Sequence, residues 1–179
     1  MIYSHGIAIL SQGLPVPEVA AWVWPIAVRH AWGLTITTSQ TTLHLLFHGS
    51  IVLVYALLCG APYGRAITRG AATRTIEAWR LAHSSLTIGA TLMLVVALVL
   101  PLLAIATPMK WIIAISFIVS SYAFCVALTL GPILGHRGLS SEGPGSAKLV
   151  YLGNIVGAGA SLIGAVGLLY GSFVSLIGD

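Results

Sequence analysis

Charged side chains are scarce in this sequence, and acidic ones are the scarcest. Among 179 residues, eight are Lys or Arg and four are Asp or Glu, so 7% carry a formal charge while 58% are hydrophobic. A soluble domain of this length needs more polar surface, so that class is excluded. The mean hydropathy of +0.99 predicts an integral membrane protein whose exposed surface faces lipid.

The same scarcity restricts the chemistry. All four acidic residues fall outside the long apolar runs, which excludes a carboxylate pair acting as acid and base inside the membrane. These residues are Glu18, Glu77, Glu142 and Asp179. Only two cysteines occur, Cys59 and Cys125, both within apolar runs and without a CxxC pair, so we interpret them as packing residues.

Four segments are apolar and long enough to cross roughly 30 Å of hydrocarbon as helices. They cover about residues 41–60, 82–106, 111–134 and 149–177. The sequence therefore predicts an all-α bundle of four transmembrane helices. Pro62 and Gly64 predict the end of the first helix. Pro101 predicts a kink late in the second helix, and Pro108 with Lys110 predicts the turn that follows.

Residues 1–40 form a separate N-terminal segment. Its apolar stretch is broken by Pro25, Arg29 and His30, and it lacks the basic start, clean apolar run and cleavage site of a signal peptide. Three tryptophans favour the headgroup level of a bilayer, namely Trp22, Trp24 and Trp32. We predict an interfacial segment, with a fifth membrane span as the alternative.

The net charge of +4 is explained by orientation in the bilayer. The basic residues form no patch interleaved with aromatic side chains, so nucleic acid is not an expected partner. Lys110 and Arg29 fall on one side of the predicted bundle, and the other side carries Arg65, Arg69, Arg74, Arg80, Arg137 and Lys148. We therefore expect residues 61–81 and 135–148 to face the cytoplasm, and a bacterial inner membrane as the location.

Small residues recur at four-residue spacing in the last predicted helix, at Gly153, Gly157, Ser161 and Ala165. Such a stripe lets another helix approach closely. The partner is either a helix of the same chain or a second subunit, and the sequence leaves both open.

The histidines are the main candidates for chemistry. His44 and His48 share a helix face at i and i+4, a spacing that can hold a metal but that lacks a third ligand here. His5, His30 and His136 fall outside the predicted spans, where a solvated imidazole needs no special role.

His83 differs because it enters an almost uncharged run, where an imidazole is costly unless it is paired, hydrated or ligating. Arg80 lies one turn before it and Thr87 one turn after, and Glu77 can pair with Arg80. A neutral imidazole is a normal axial ligand of haem, and a nearby basic residue suits a haem propionate. The alternative is a hydrogen bond within the bundle.

Five short motifs stand in order along the chain. They are His48-Gly49, the segment Glu77, Trp79, Ala82, His83, Ser84, the proline-bearing run Val96, Ala97, Val99, Leu100, Pro101, then Arg137-Gly138-Leu139 and Gly143-Pro144-Gly145. Together they resemble the styrene oxide isomerase family of small four-helix membrane proteins. The resemblance covers about residues 43–179.

This resemblance implies a haem b between the protomers of a homotrimer, with the axial histidine falling at His83. It implies that the ferric iron acts as a Lewis acid on a small apolar epoxide, for example an aromatic one, and that the epoxide rearranges to an aldehyde. An apolar pocket suits this reaction because water would give a diol. We expect Arg80 and His48 to help bind the cofactor, and Tyr122 and Thr87 to be polar groups near the open iron face.

The sequence departs from the family pattern at three positions. The family's active-site asparagine falls at Gly89, its helix-three tyrosine at Leu128, and the asparagine before the Arg-Gly-Leu motif at His136. A relative with another substrate or without catalysis is therefore also compatible.

Two other functions remain open. One is a b-type electron-transfer or haem-binding subunit of a larger membrane complex, with His44 or His48 as second axial ligand. The other is a cofactor-free membrane assembly protein that acts through its glycine-rich last helix.

Overall fold

A computed structural model describes residues 39–135 and 144–178 of the chain. These two ranges form five α-helices and one 3-10 helix, and no strand. The helices are α1 (Gln40–Leu58), α2 (Gly60–Thr68), α3 (Thr73–Val99), the 3-10 helix (Leu100–Leu102), α4 (Thr107–Leu134) and α5 (Gly145–Ile177). The predicted N-terminal segment falls outside the described residues except for its last two, and His5, His30 and His136 fall outside them entirely.

Four stretches of the described chain are long and apolar enough to cross a membrane, and they are Gln40–Thr68, Thr73–Leu102, Thr107–Leu134 and Gly145–Ile177. This confirms the prediction of an all-α membrane bundle with four transmembrane helices.

The first helical segment extends further than predicted, and the prediction that Pro62 and Gly64 end it is wrong. After a break at Cys59 the chain continues as α2 to Thr68. Pro62 falls in the first turn of α2, where the backbone N–H groups have no helical partner and a proline is tolerated. The predicted loop 61–81 is therefore mostly helical.

The connection between α2 and α3 is a short turn over residues 69–72. Gly70 adopts φ +60 there, a left-handed conformation that suits glycine. Helix α3 begins at Thr73 and thus includes Glu77, which was predicted to lie outside the spans.

Two prolines act at the other end of the bundle. Helix α3 ends at Val99, and Pro101 tightens the chain into the 3-10 helix rather than kinking a continuing helix. Pro108 lies in the first turn of α4, so the turn itself falls before it. A third proline, Pro132, lies inside α4.

The core is built where α1, α3 and α4 pack on one another. Gly49 of α1 allows close approach, because a Cβ there would lie 3.1 Å from a methyl group of Leu94 and 3.3 Å from the Cβ of Met93. Met93 is fully buried, and Ser121 of α4 donates a hydrogen bond to its sulfur at 2.9 Å. This contact joins α3 to α4.

Helix α5 lies at the periphery. In its most apolar window 11% of the residues are buried, against 44% for α4, and α5 packs chiefly on α4. The contact is lined by glycines that leave no room for a Cβ, namely Gly153 against Ala127, Gly157 against Phe124, Gly164 against Phe117 and Gly167 against Ile113. Of the predicted small-residue stripe, Gly153 and Gly157 therefore pack within the chain.

Candidate functional site

His83 lies on α3 beside the end of α1. Its Nδ1 is 2.8 Å from the carbonyl oxygen of Ala56. A carbonyl can only accept, so Nδ1 carries the proton in the neutral ring, and Nε2 keeps an unshared electron pair. Nε2 has no partner among the described residues, and none of their buried side-chain nitrogens or oxygens is unpaired, so Nε2 is accessible at the surface. The imidazole is thus oriented as metal-ligating histidines commonly are.

Helix α2 forms a wall next to this imidazole. The ring of Tyr63 stacks on His83 with centroids 6.5 Å apart and an interplanar angle of 21°. Gly60 lies below the ring, where a Cβ would be 3.5 Å from Cε1 and from Nδ1 of His83. The absence of a side chain at position 60 leaves the space into which the imidazole fits.

Arg80 and Thr87 lie one turn before and after His83 on the same face of α3. The Thr87 hydroxyl donates to the His83 carbonyl at 2.7 Å. The side chain of Arg80 is exposed, and its guanidinium makes no hydrogen bond or ion pair with another described residue, so the suggested pairing with Glu77 does not form. The guanidinium is free to bind an anionic group near His83.

His48 and Tyr122 form a second polar pair. Nδ1 of His48 is 2.9 Å from the Tyr122 hydroxyl, which links α1 to α4. A parallel link follows toward the end of α1, where the hydroxyl of Tyr55 donates to Oγ1 of Thr129 at 3.1 Å. His48 lies eight residues before Ala56, or about 12 Å along the helix axis. Within one chain the pair therefore does not share a site with His83.

The ring of His44 stacks on that of His48 with centroids 5.9 Å apart, and it contacts Trp111 with centroids 5.4 Å apart and an interplanar angle of 56°. Across the described residues no three His, Cys, Asp or Glu side chains come together as a metal site. A single accessible imidazole fits a metal that brings its own equatorial ligands, as a porphyrin iron does. The donor atoms at His83 thus fit haem, whereas the described histidines of one chain do not provide two axial ligands.

A groove runs along the opposite side of α3, between α3 and α5, with α4 as its floor. It contains three neighbouring cavities of about 320, 320 and 570 Å³. Leu128 lines both the first and the second cavity, and Leu92 both the second and the third. Arg74 and Glu77 line the first cavity, so the groove is charged at one end and apolar along the rest.

The central cavity contains two of the positions at which the sequence departs from the family pattern, Gly89 and Leu128. A Cβ at Gly89 would meet nothing within 4 Å. The rest of the lining combines apolar side chains with four hydroxyls, and it comprises Val52, Ser85, Leu86, Ile88, Leu92, Phe117, Ser120, Ser121, Phe124 and Ser161. This is the composition of a small-molecule pocket.

His83 and the central cavity lie on different faces of α3. Ser85 and Gly89 follow His83 by two and six residues, which at roughly 3.6 residues per turn places them on the far side of the helix. The contacts agree, because His83 contacts α1 and α2, whereas the cavity is lined mainly from α3, α4 and α5. Within one chain, His83 and the central cavity thus face apart.

The sequence indicated His83, Arg80 and Thr87 as neighbours, and the structure places them on one face. It gave no indication of Ala56, whose contribution is a backbone carbonyl, nor of Ser85. The signal for Ser85 was available, since Ser85 and Gly89 are four residues apart and therefore share a helix face.

A family model described as styrene oxide isomerase matches residues 41–173 of this chain. No curated protein was found to match it, and no solved structure was found to match it. The matched range covers all five described helices except Gln40, the first residue of α1, and residues 174–177 at the end of α5.

Proposed function

The chain belongs to the styrene oxide isomerase family, and from this membership we propose that it is a haem-dependent membrane isomerase that rearranges an epoxide to an aldehyde. The substrate is a small apolar epoxide that reaches the protein from the bilayer. The reaction is internal to the substrate, so no redox partner is required.

One observation carries the proposal. The hydrogen bond from Nδ1 of His83 to the Ala56 carbonyl leaves the accessible Nε2 as an electron-pair donor. His83 would be the axial ligand of haem b, and Arg80, exposed and unpaired one turn earlier, would bind a propionate. Thr87 lies on the same face, next to the ligand.

When bound, a ferric haem supplies a Lewis acid for the epoxide oxygen. The residues of this chain would orient the haem ligand and exclude water. The Ala56 carbonyl holds the imidazole in one tautomer, and Gly60 and Tyr63 fix its position. The apolar walls of the groove exclude water, which would convert an opening epoxide to a diol.

The two faces of α3 suggest how the site is completed. The His83 face of one protomer would lie against the α3–α5 groove of the next, so that each site takes its ligand histidine from one chain and its pocket from another. An interface between two different surfaces of the same chain closes into a ring. We propose that this ring is a homotrimer.

The exposed basic residues support one orientation of the bundle in the membrane. Arg65, Arg69, Arg74 and Arg80 are exposed around the α2–α3 turn. We propose that this end of the bundle faces the cytoplasm of a bacterial inner membrane, because short cytoplasmic connections are enriched in Lys and Arg.

The test is the absorption spectrum of the purified protein and of two variants. The wild type is expected to show a Soret band of ferric haem with one protein ligand and to convert an aryl epoxide to the aldehyde. His83→Ala is expected to lose the band or change its coordination, and with it the activity. His44→Ala removes another half-exposed helical histidine and serves as the matched control, with an unchanged spectrum.

Three results would contradict the proposal. A wild type without a Soret band, even with added haemin, would support a cofactor-free assembly protein. Bis-histidine ligation would support an electron-transfer subunit. If His83→Ala kept the haem content and coordination of the wild type, the assignment of His83 as the haem ligand would be wrong.

A further inference from the structure

The four hydroxyls that line the central cavity differ in their hydrogen bonds. Ser120 donates to the Gly157 carbonyl at 2.8 Å and Ser121 to the sulfur of Met93 at 2.9 Å. Ser161 donates to the carbonyl of Ala158 at 2.9 Å. The hydroxyl of Ser85 makes no hydrogen bond to any described residue. It is the unengaged donor of this cavity.

The state of Ser85 is unusual for a serine in a membrane helix. Its neighbour Ser84 satisfies its hydroxyl by donating to the Arg80 carbonyl at 2.9 Å, the usual arrangement in a helix. Ser85 is half-buried, and since no buried polar side-chain atom of the described residues is unpaired, its hydroxyl is open to the cavity. A free donor in apolar surroundings favours a ligand that carries an acceptor.

The cavity also restricts the ligand. Its volume of about 320 Å³ is at the lower end of the range for small-molecule pockets, and most of its lining is apolar. Gly89, one turn after Ser85, leaves open space on the same wall. The ligand that fits is a compact hydrocarbon skeleton with one hydrogen-bond acceptor.

We propose that Ser85 donates a hydrogen bond to the oxygen of the substrate epoxide and of the aldehyde formed from it, and that it thereby orients these molecules in the central cavity. The identity of the ligand rests on the proposed function, whereas the site itself rests on the cavity and on the hydroxyl. Ser85 is a residue that contacts substrate and is separate from the ligand histidine.

The experiment compares two ligands of the same carbon skeleton, an aryl epoxide and the corresponding alkene, which lacks the oxygen. Binding to the full-length protein in nanodiscs is measured from the rise in unfolding temperature with ligand concentration. Both ligands partition into the same bilayer for every variant. The ratio of the epoxide affinity to the alkene affinity is therefore compared between variants, and a change in this ratio reports the contribution of the substituted side chain.

Ser85→Ala is expected to weaken binding of the epoxide by about fivefold, the effect of one ordinary hydrogen bond, while binding of the alkene changes by less than twofold. Ser84→Ala is the matched control, since its hydroxyl is bonded to its own helix, and both affinities should stay at the wild-type value. Ser85→Ala with Gly89→Asn should restore the preference for the epoxide, because a side chain at position 89 projects into the same open space.

The proposal is overturned if Ser85→Ala keeps the epoxide preference of the wild type, or if neither ligand stabilises the wild type. These results are independent of the haem assignment. The Soret band, recorded for the same samples, tests that assignment separately, since Ser85→Ala removes no proposed haem ligand and should leave the band in place.

Discussion

At the scale of single residues, the imidazole of His83 rests on a position that has no side chain. A Cβ at Gly60 would lie 3.5 Å from two ring atoms, an ordinary contact distance, so we expect a side chain larger than a methyl group to press on the ring. The size of residue 60 therefore controls whether His83 can stay hydrogen-bonded to Ala56.

Gly60→Ala is expected to retain the Soret band and coordination of the wild type, because a methyl group fits without moving the ring. Gly60→Leu should displace the imidazole and reduce haem content severalfold. Absorption spectra of both variants at equal protein concentration check this, with Gly64→Leu as the control, since a Cβ at Gly64 would meet nothing within 4 Å. Equal haem content in Gly60→Leu and the wild type would contradict the prediction.

The bond between His48 and Tyr122 ties α1 to α4, and its energetic role can be measured separately from any chemical role. His48→Phe and Tyr122→Phe should each lower the free energy of unfolding by roughly 1 kcal/mol, and the double variant by less than the sum, since both remove one hydrogen bond. Denaturation in detergent gives these values. Additive losses would show that the two side chains act independently.

The activity of the same variants tests the sequence-based roles of Tyr122 and His48. If Tyr122→Phe loses turnover while its stability stays near that of the wild type, Tyr122 acts on the substrate, as predicted from the sequence. If activity falls only in step with stability, its role is the link to His48.

The sequence indicates a functional role for residues whose chemistry is unusual for their position in the chain. His83 was recognisable because an imidazole in an apolar run needs a reason. The Ala56 carbonyl was not recognisable, because every residue has a carbonyl and only the packing of α1 against α3 selects this one. The Tyr122–His48 contact likewise needs two helices in register, which residue type alone does not specify.

At the scale of helices, the number of membrane spans and their helical class followed from hydropathy, and the ends of the helices did not. The sequence predicts that Pro62 ends a helix. The break at Cys59 instead starts a new helix, and Pro62 lies in its first turn, where a proline is tolerated. A proline four residues later in the same helix would lack the backbone N–H that the helical hydrogen bond at that position needs. The prediction failed because a proline marks an end or a beginning depending on the register of the helix.

Helix α5 is held to α4 by contacts in which glycine is required. A Cβ at Gly167 would lie 2.8 Å from Cγ1 of Ile113, which is fully buried and has no space to move into. Gly159, on another face of the same helix, has nothing within 4 Å. The two glycines form a matched pair for testing this interface.

Gly167→Ala is expected to destabilise the protein by about 1–3 kcal/mol through overpacking. Gly159→Ala should leave stability unchanged or raise it slightly, because alanine favours the helix. Unfolding temperatures in the same detergent provide the comparison. Similar values for the two variants would mean that α5 is not fixed on α4 as described.

At the scale of the whole molecule, the separation of His83 from the central cavity predicts complementation between inactive chains. His83→Ala removes the ligand, and Gly89→Trp fills the pocket. Each variant alone should be inactive. When the two are coexpressed with different tags and purified through both, a protomer with intact His83 can meet a protomer with an intact cavity. A three-membered ring purified through both tags contains both variants, so one of its three interfaces, about one third, pairs an intact His83 with an intact cavity.

Recovery of activity in the mixed assembly is therefore expected. The control is a mixture of His83→Ala with wild-type chains, which fixes the activity that each intact interface provides. A mixed assembly as inactive as its parents would mean that ligand and pocket belong to one chain. Helix spacing gives the face of each residue but not the neighbour that covers it, so within the sequence only the family resemblance indicates a site between protomers.

The two opposed faces of α3 have a consequence for how the protein is made. In the assembly proposed above, a newly inserted chain would offer an imidazole without a pocket and a pocket without an imidazole, so it would be inert until it meets another copy. Aldehydes are reactive toward amines, and such an arrangement would restrict their formation to finished assemblies. Biogenesis and catalysis would thereby be coupled by the geometry of a single helix.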